Sequence, residues 1–277
     1  KTFGLIGVAF GLSFFLGNIF VVIFAKNTNN NFIIPVLIAS IIPIINFLLV
    51  FFYLPETKPY SSSNKAKTIL KNPLKELFTV FKEEKIKKLS LAFFIYFIAF
   101  TGLTNILIFF LQESLNWTTK ASSGTLVVVG IIAIIVQGGL IGPLVKQFGE
   151  MRLTLVGSGF ILVACALLIT APKENAIINI YSAVSFLAVG AGLITPTLRA
   201  LISKKLDIDK QGSILSNLQG LQSLGGVLGI AMAGRVYDSF GPKSPFIAGS
   251  VILLFMIYLI AEGKNNNSFS NQNSKVS

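Results

Sequence analysis

The side chains that could perform chemistry in this chain are few, and the usual catalytic combinations are missing. His is absent and Cys165 is the only cysteine, which excludes Ser-His and Cys-His catalysis, His-ligated metals and an internal disulfide. The sequence has no GxxxxGK phosphate loop, and Asp207 and Asp209 lie among lysines with no further acids nearby. We therefore expect neither an enzyme nor a bound cofactor or metal ion.

The remaining chemistry lies in polar side chains within long apolar segments. Thr101, Asn105 and Gln112 are spaced at i, i+4 and i+11, which is close to one face of a helix. Further polar positions in apolar segments are Gln137, Arg199 and Gln219. Polar groups inside a membrane span are costly and tend to face the bundle interior, but Ser, Thr, Asn and Gln also hold neighbouring helices together. The sequence leaves both a binding role and a packing role open for these residues.

The elements that must position these residues are membrane-spanning helices. Hydrophobic residues make up 53% of the 277 residues and charged residues only 12%, against about a quarter in soluble domains. A helix needs about 20 mostly apolar residues to cross a bilayer. Such continuous apolar runs exclude barrel strands, so the sequence predicts an all-α integral membrane bundle of about eight helices. The predicted spans are roughly 4–25, 32–54, 89–111, 121–145, 153–171, 176–202, 212–236 and 244–262.

Lys and Arg are distributed unevenly between the two sides of this bundle. With alternating spans, 17 of the 23 cations fall on the side that holds the 55–88 loop and 5 on the other side. By the positive-inside rule the richer side is cytoplasmic, so both termini are predicted to face the cytoplasm. Topology thereby explains the net charge of +12, and nucleic-acid binding is not expected. Arg199 lies within a span, and we expect its side chain to snorkel towards the cytoplasmic interface near Lys204.

The longest polar connection divides the chain into two helical parts. Residues 1–54 hold two spans and 89–262 hold six, with a basic cytoplasmic linker between them at 55–88. Apolar residues from Ile69 to Ile86 form a stripe along this linker. The stripe fits either an amphipathic helix on the lipid surface or a helix packed on the bundle. The Asn- and Ser-rich segment 263–277 is predicted to be a disordered cytoplasmic tail.

Two motifs stand out in the first part of the chain. The opening KTFGLIGVAFGLSFFLG places Gly7, Gly11 and Gly17 on one helix, and LPETK follows the second span at 54–58. They resemble the fifth helix, with its Gly-rich antiporter motif, and the exit of the sixth helix in transporters of the major facilitator superfamily. Asn18 departs from this resemblance, because it stands where the antiporter motif has proline.

Three further motifs follow in the same order as in that family. VQGGLIGPLVKQFGEMR, with Gly142, Gly149 and Arg152, resembles the signature loop as it is repeated in the second half. GAGLITPTLRALIS, with Pro196, resembles the tenth helix, and 211–241 resembles the eleventh helix and the turn into the twelfth. Together the motifs resemble the drug:proton antiporters of the tetracycline-efflux type. The resemblance implies that the family's first four helices are missing from this chain.

This resemblance implies a secondary transporter of the cell membrane that couples proton entry to the efflux of drugs or amphipathic compounds by alternating access. It implies that the third and sixth spans line the cavity, and the candidates for contact with substrate are then Thr101, Asn105, Gln112, Gln137, Arg199 and Gln219. The implied partners are a small-molecule substrate, protons, the lipid bilayer and the missing helices of the same transporter. Uptake or facilitated diffusion of a metabolite such as a sugar or amino acid stays open, as does a non-transporting membrane scaffold.

GxxxG pairs are expected to bring helices close together. Gly225 and Gly229 form one pair, and Gly138 and Gly142 form another. Without side chains at these positions, two helix backbones can approach closely. We therefore predict helix packing at both pairs.

Overall fold

The computed structural model describes residues 2–27, 33–54, 77–172 and 176–273, and these residues form helices and short connections without any strand. The prediction of an all-α fold is confirmed. The helices are α1 Thr2–Asn27, α2 Ile33–Tyr53, α3 Lys87–Phe109, α4 Thr119–Ile135, α5 Ile141–Phe148, α6 Glu150–Thr170, α7 Ile177–Ser203, α8 Ile208–Phe240 and α9 Ser244–Asn273.

Within the described residues, six helical segments are long and apolar enough to cross a membrane. They contain α2, α3, α4 together with α5, α6, α7 and α9. Helices α1 and α8 coincide with the other two predicted spans, 4–25 and 212–236. The prediction of about eight helices agrees with this arrangement.

Two of the long helices contain a π turn. Helix α3 continues into a π turn at Phe110–Ser114, and a second π turn, Val136–Leu140, joins α4 to α5. Pro143 follows the second turn, and because proline has no N–H it cannot bond to the carbonyl of Gly139. The regular α-helical hydrogen-bond ladder is interrupted at this point. A π turn changes the direction of the side chains that it carries, and Gln137 is one of them.

The core of the bundle is formed by α3, α6, α7 and α9. Its largest fully buried side chains include Phe93, Tyr96, Ile161, Ile180 and Phe246. The rings of Phe110 and Phe246 meet edge to face at a centroid distance of 5.2 Å, which fixes α9 against the end of α3.

Three helix pairs meet closely at glycines. On α8, a Cβ atom at Gly229 would overlap the carbonyl oxygen of Ile98 on α3. Between α6 and α7, a Cβ at Gly157 would lie 2.9 Å from the Gly190 carbonyl oxygen. Gly11 on α1 meets α4 in the same way, 2.9 Å from the Ile134 nitrogen. These contacts hold α1, α3 and α6 each against one partner helix at backbone distance.

Helix α2 is exposed along nearly its whole length. Phe47, Phe51 and Phe52 are each at least 65% exposed, and the main contact of α2 among the described residues is a limited one with the neighbouring α1. An apolar helix that is exposed on all sides is stable only in lipid or against further helices.

The end of the linker packs on the bundle. A short 3-10 helix, Phe78–Lys82, precedes α3, and Val80 and Ile86 are fully buried. Lys210 Nζ lies 3.4 Å from Glu83 Oε2, which ties this segment to α8. The contacts over 77–86 fit the packed-helix alternative, although part of the segment is a 3-10 turn rather than a continuous amphipathic helix. The rest of the predicted stripe, including Ile69, lies outside the described residues.

Helix α9 is longer than the predicted eighth span. It continues to Asn273, so residues 263–273 are helical where the sequence led us to expect a disordered tail. A formed helix extends readily, because each added residue contributes one i→i−4 hydrogen bond once the nucleus exists.

Candidate functional site

A cavity of about 310 Å³ opens between α3, α4, α7 and α8, with Gly11 of α1 at its edge. Its walls are mostly apolar, and Phe97, Phe100, Leu126 and Val129 contribute much of them. A few polar side chains interrupt this surface: Thr101, Thr104, Asn105, Gln137, Thr195, Gln222 and Ser223. Small-molecule sites share this pattern and occupy about 300–1,000 Å³. The arrangement can hold a small amphipathic molecule.

Gln137 is the most unusual polar group of the cavity. Its side chain is only 9% exposed, and within the part of the chain that the structure describes its amide has no hydrogen-bond partner. The Gln137 amide atoms are not among the fully buried polar atoms of the described residues that lack a partner, which are Ser90 Oγ and Ser122 Oγ, so the amide is open to the cavity. Because Gln137 lines the cavity, the missing partner would have to come from water or a bound molecule.

Asn105 lies across the same cavity on α3. Its side-chain Nδ2 donates a hydrogen bond to the Thr101 carbonyl oxygen at 2.9 Å, and the residue is exposed. Since this bond stays within one helix, Asn105 does not connect α3 to a neighbour. Thr101, Asn105 and Gln137 are three of the six residues predicted to contact substrate, and the structure brings them to one cavity.

Arg199 and Gln219 lie together beside the cavity. Arg199 Nη2 donates hydrogen bonds to the side-chain oxygens of Gln219, at 2.8 Å, and of Gln222. The guanidinium carbon lies 5.9 Å from the centroid of the Phe93 ring. The side chain thus reaches across to α8 and does not snorkel towards Lys204 as expected from the sequence. Gln222 lines the cavity, so it joins the cavity to the Arg199 group.

Gln112, Arg199 and Gln219 do not line the cavity, and Gln112 lies apart from both the cavity and the Arg199 group. It lies on the π turn at the end of α3, is half-buried, and does not line the cavity. Thr104, Thr195 and Gln222 also line the cavity but were not predicted from the sequence. Of these, Gln222 follows Gln219 by three residues, and this helical spacing was the signal that could have identified it.

The predicted packing residues divide into two groups. Gly225 lies against α3, where a Cβ would be 3.2 Å from the Phe94 carbonyl oxygen, and Gly229 also meets α3. By contrast, a Cβ at Gly17 or Gly142 would meet nothing within 4 Å. Among the described residues Gly142 therefore has no close contact, and its role in helix packing stays a prediction.

The remaining motif residues occupy helix ends or the interior of α7. Gly149 ends α5 with φ of 77°, and its N–H donates to the Val145 carbonyl oxygen at 2.9 Å. This positive φ favours glycine. Arg152 is exposed near the start of α6, and Pro196 is buried within α7. Gly7 lies on α1.

The described residues thus form a bundle of membrane-length helices around a largely apolar cavity, which is the architecture of an integral membrane protein. The sequence model of the Major Facilitator Superfamily matches residues 1–230. The chain therefore belongs to the major facilitator superfamily, which agrees with the prediction of a transporter rather than an enzyme.

Two curated relatives and one solved structure illustrate the similarity. The chain is 23% identical to the class H tetracycline resistance protein of Pasteurella multocida, over 86% of the chain and 58% of the relative. It is 24% identical to major facilitator superfamily domain-containing protein 10 of Mus musculus, over 92% and 58% respectively. The crystal structure of the human organic anion transporter MFSD10 (TETRAN) matches with a TM-score of 0.73 and 21% identity, over 93% of this chain and 62% of that one. The chain thus spans about three-fifths of the length of these proteins.

Proposed function

We propose that the chain forms the larger part of a secondary active transporter that exports small amphipathic molecules in exchange for protons. The observation that carries this proposal is the cavity of about 310 Å³, with apolar walls and the unpartnered amide of Gln137. In secondary transporters the substrate site lies near the bilayer midplane between two helical units, which rock about it. The similarity to tetracycline resistance proteins supports export as the direction of transport.

The complementary unit is proposed to include helices outside this chain. Helix α2 exposes Phe47, Phe51 and Phe52 on its surface, and the chain spans 58% of the class H tetracycline resistance protein. Further helices of the same transporter would cover α2 and close the open side of the cavity. They would also supply the proton-carrying carboxylate, because no Asp or Glu lines the cavity in the described residues.

The experiment that tests this function uses the full-length transporter in proteoliposomes that contain a trapped pH indicator. Tetracycline is the first probe, because relatives of the chain are tetracycline resistance proteins. We expect tetracycline to cause proton movement across the membrane, and an imposed pH gradient to drive its accumulation. A protonophore should abolish that accumulation. Tetracycline uptake that is saturable but indifferent to the pH gradient would instead indicate facilitated diffusion.

The proposed orientation places both termini and the 55–88 linker in the cytoplasm of a cell whose plasma membrane holds the protein. The support is the distribution of 17 cations against 5. A cysteine introduced by Ser62→Cys, in a Cys165→Ala background, is expected to resist an impermeant maleimide in intact cells and to react after permeabilisation. The matched control is Lys120→Cys, at the start of α4 on the opposite side, which should react in intact cells. Labelling of Ser62→Cys in intact cells would show that the protein has the opposite orientation.

A further inference from the structure

Arg199 places a positive charge beside the cavity, and no carboxylate of the described residues balances it. Both of its hydrogen bonds go to neutral amide oxygens, those of Gln219 and Gln222. Within the described residues Arg199 has no ion pair, and the residues that line the cavity include no charged side chain. A charge inside a membrane span is costly unless a counter-charge accompanies it.

The geometry of the guanidinium leaves room for such a counter-charge. Arginine carries five N–H donors, and both observed hydrogen bonds start from Nη2. The Nη1 and Nε donors have no partner in the described chain, and the Phe93 ring supplies only a cation–π contact. An arginine with free donors matches the planar, two-oxygen shape of a carboxylate.

The cavity connects to this group through Gln222. Gln222 lines the cavity and accepts a hydrogen bond from Arg199, so the guanidinium lies one hydrogen bond behind the cavity wall. Phe97 and Phe100 form apolar and aromatic walls in the same cavity, and aromatic side chains favour contact with aromatic rings.

On the basis of the proposed transport function, we propose that the substrate is an amphipathic aromatic anion whose carboxylate binds Arg199. Its ring system would occupy the apolar part of the cavity near Phe97 and Phe100. The Gln137 amide would bind a second polar group of the same molecule. Arg199 thereby determines specificity for charge, while the apolar walls contribute binding that is independent of charge.

The test is a comparison of 2-naphthoate with 2-naphthamide, two ligands of similar shape that differ in charge. Binding to the full-length transporter in nanodiscs is measured by calorimetry. The wild type is expected to bind 2-naphthoate at least about tenfold more tightly, the scale of one charge-assisted interaction. Arg199→Gln should remove this preference and leave the affinity for 2-naphthamide unchanged. Arg199→Lys should retain part of the preference, because the charge remains.

The matched control is Arg152→Gln, which removes one positive charge from an exposed residue that does not line this cavity. It should leave both affinities unchanged. Equal affinity of the wild type for the two ligands, absence of 2-naphthoate binding, or an equal loss of both ligands in Arg199→Gln would each overturn the proposal. The last result would make Arg199 a structural contact between α7 and α8. The protein could bind 2-naphthoate selectively and yet transport none of the probes in the proteoliposome assay. That result would contradict the proposed function but not the anion site.

Discussion

Replacing Gly229 by leucine is expected to remove almost all folded protein from detergent extracts. Even one added Cβ at this position overlaps the Ile98 carbonyl oxygen, and the Gly102 backbone lies 3.1 Å away. Backbone atoms cannot rotate aside as a flexible side chain can, so α3 and α8 must separate. Overpacking of this kind typically costs about 1–3 kcal/mol, and Gly229→Ala should therefore lower the melting temperature by several degrees.

Gly234 provides the matched control on the same helix. A Cβ at Gly234 meets nothing within 4 Å, and alanine is a better helix former than glycine by about 1 kcal/mol. Gly234→Ala should therefore melt at the same temperature as the wild type or slightly higher. If Gly229→Ala and Gly234→Ala gave the same melting temperature, the close contact between α3 and α8 would be wrong.

A cysteine at Asn105 is expected to react much faster with a small polar thiol reagent than a cysteine at Ala99. Both residues lie on α3, but Asn105 is exposed to the cavity and Ala99 is 3% exposed. Thiol modification requires both access for the reagent and water to support the thiolate. We expect Asn105→Cys to react more than about tenfold faster with 2-aminoethyl methanethiosulfonate, each variant carrying Cys165→Ala.

The same pair of variants distinguishes the two roles that the sequence left open for Asn105. A residue that only holds helices together is inaccessible to water in the folded bundle. Equal and slow reaction at both positions, with normal melting temperatures, would assign Asn105 to packing and remove it from the proposed substrate path.

The positions of the helices could be predicted from the sequence because hydrophobicity and flanking polar turns determine them. The predicted span 176–202 corresponds to Ile177–Ser203, and the predicted start at 244 coincides with Ser244 of α9. Each of these segments is apolar over the thickness of a bilayer and is bounded by charged or turn-forming residues. Such signals are local, and a single sequence contains them in full.

The contacts between helices could not be predicted in the same way. Arg199 was expected to follow its own helix to the interface, but it binds Gln219 and Gln222 because α7 turns this face towards α8. Gly142 was expected to pack closely, but among the described residues a Cβ at this position would meet nothing within 4 Å. Both outcomes depend on helix rotation and on the neighbouring element. The sequence also identified Gln137 as a polar residue within a span. It could not show that the amide has no hydrogen-bond partner among the described residues.

The most direct test of the central proposal is two-sided labelling of the Asn105→Cys, Cys165→Ala variant of the full-length transporter. A membrane-impermeant maleimide is applied to right-side-out vesicles and, separately, to inside-out vesicles. An alternating-access transporter exposes its central cavity to each side in turn, so labelling from both sides is the predicted result. The Ala99→Cys control should stay unlabelled from either side. Labelling of Asn105→Cys from one side alone, or from neither, would contradict the account of this cavity as the substrate path.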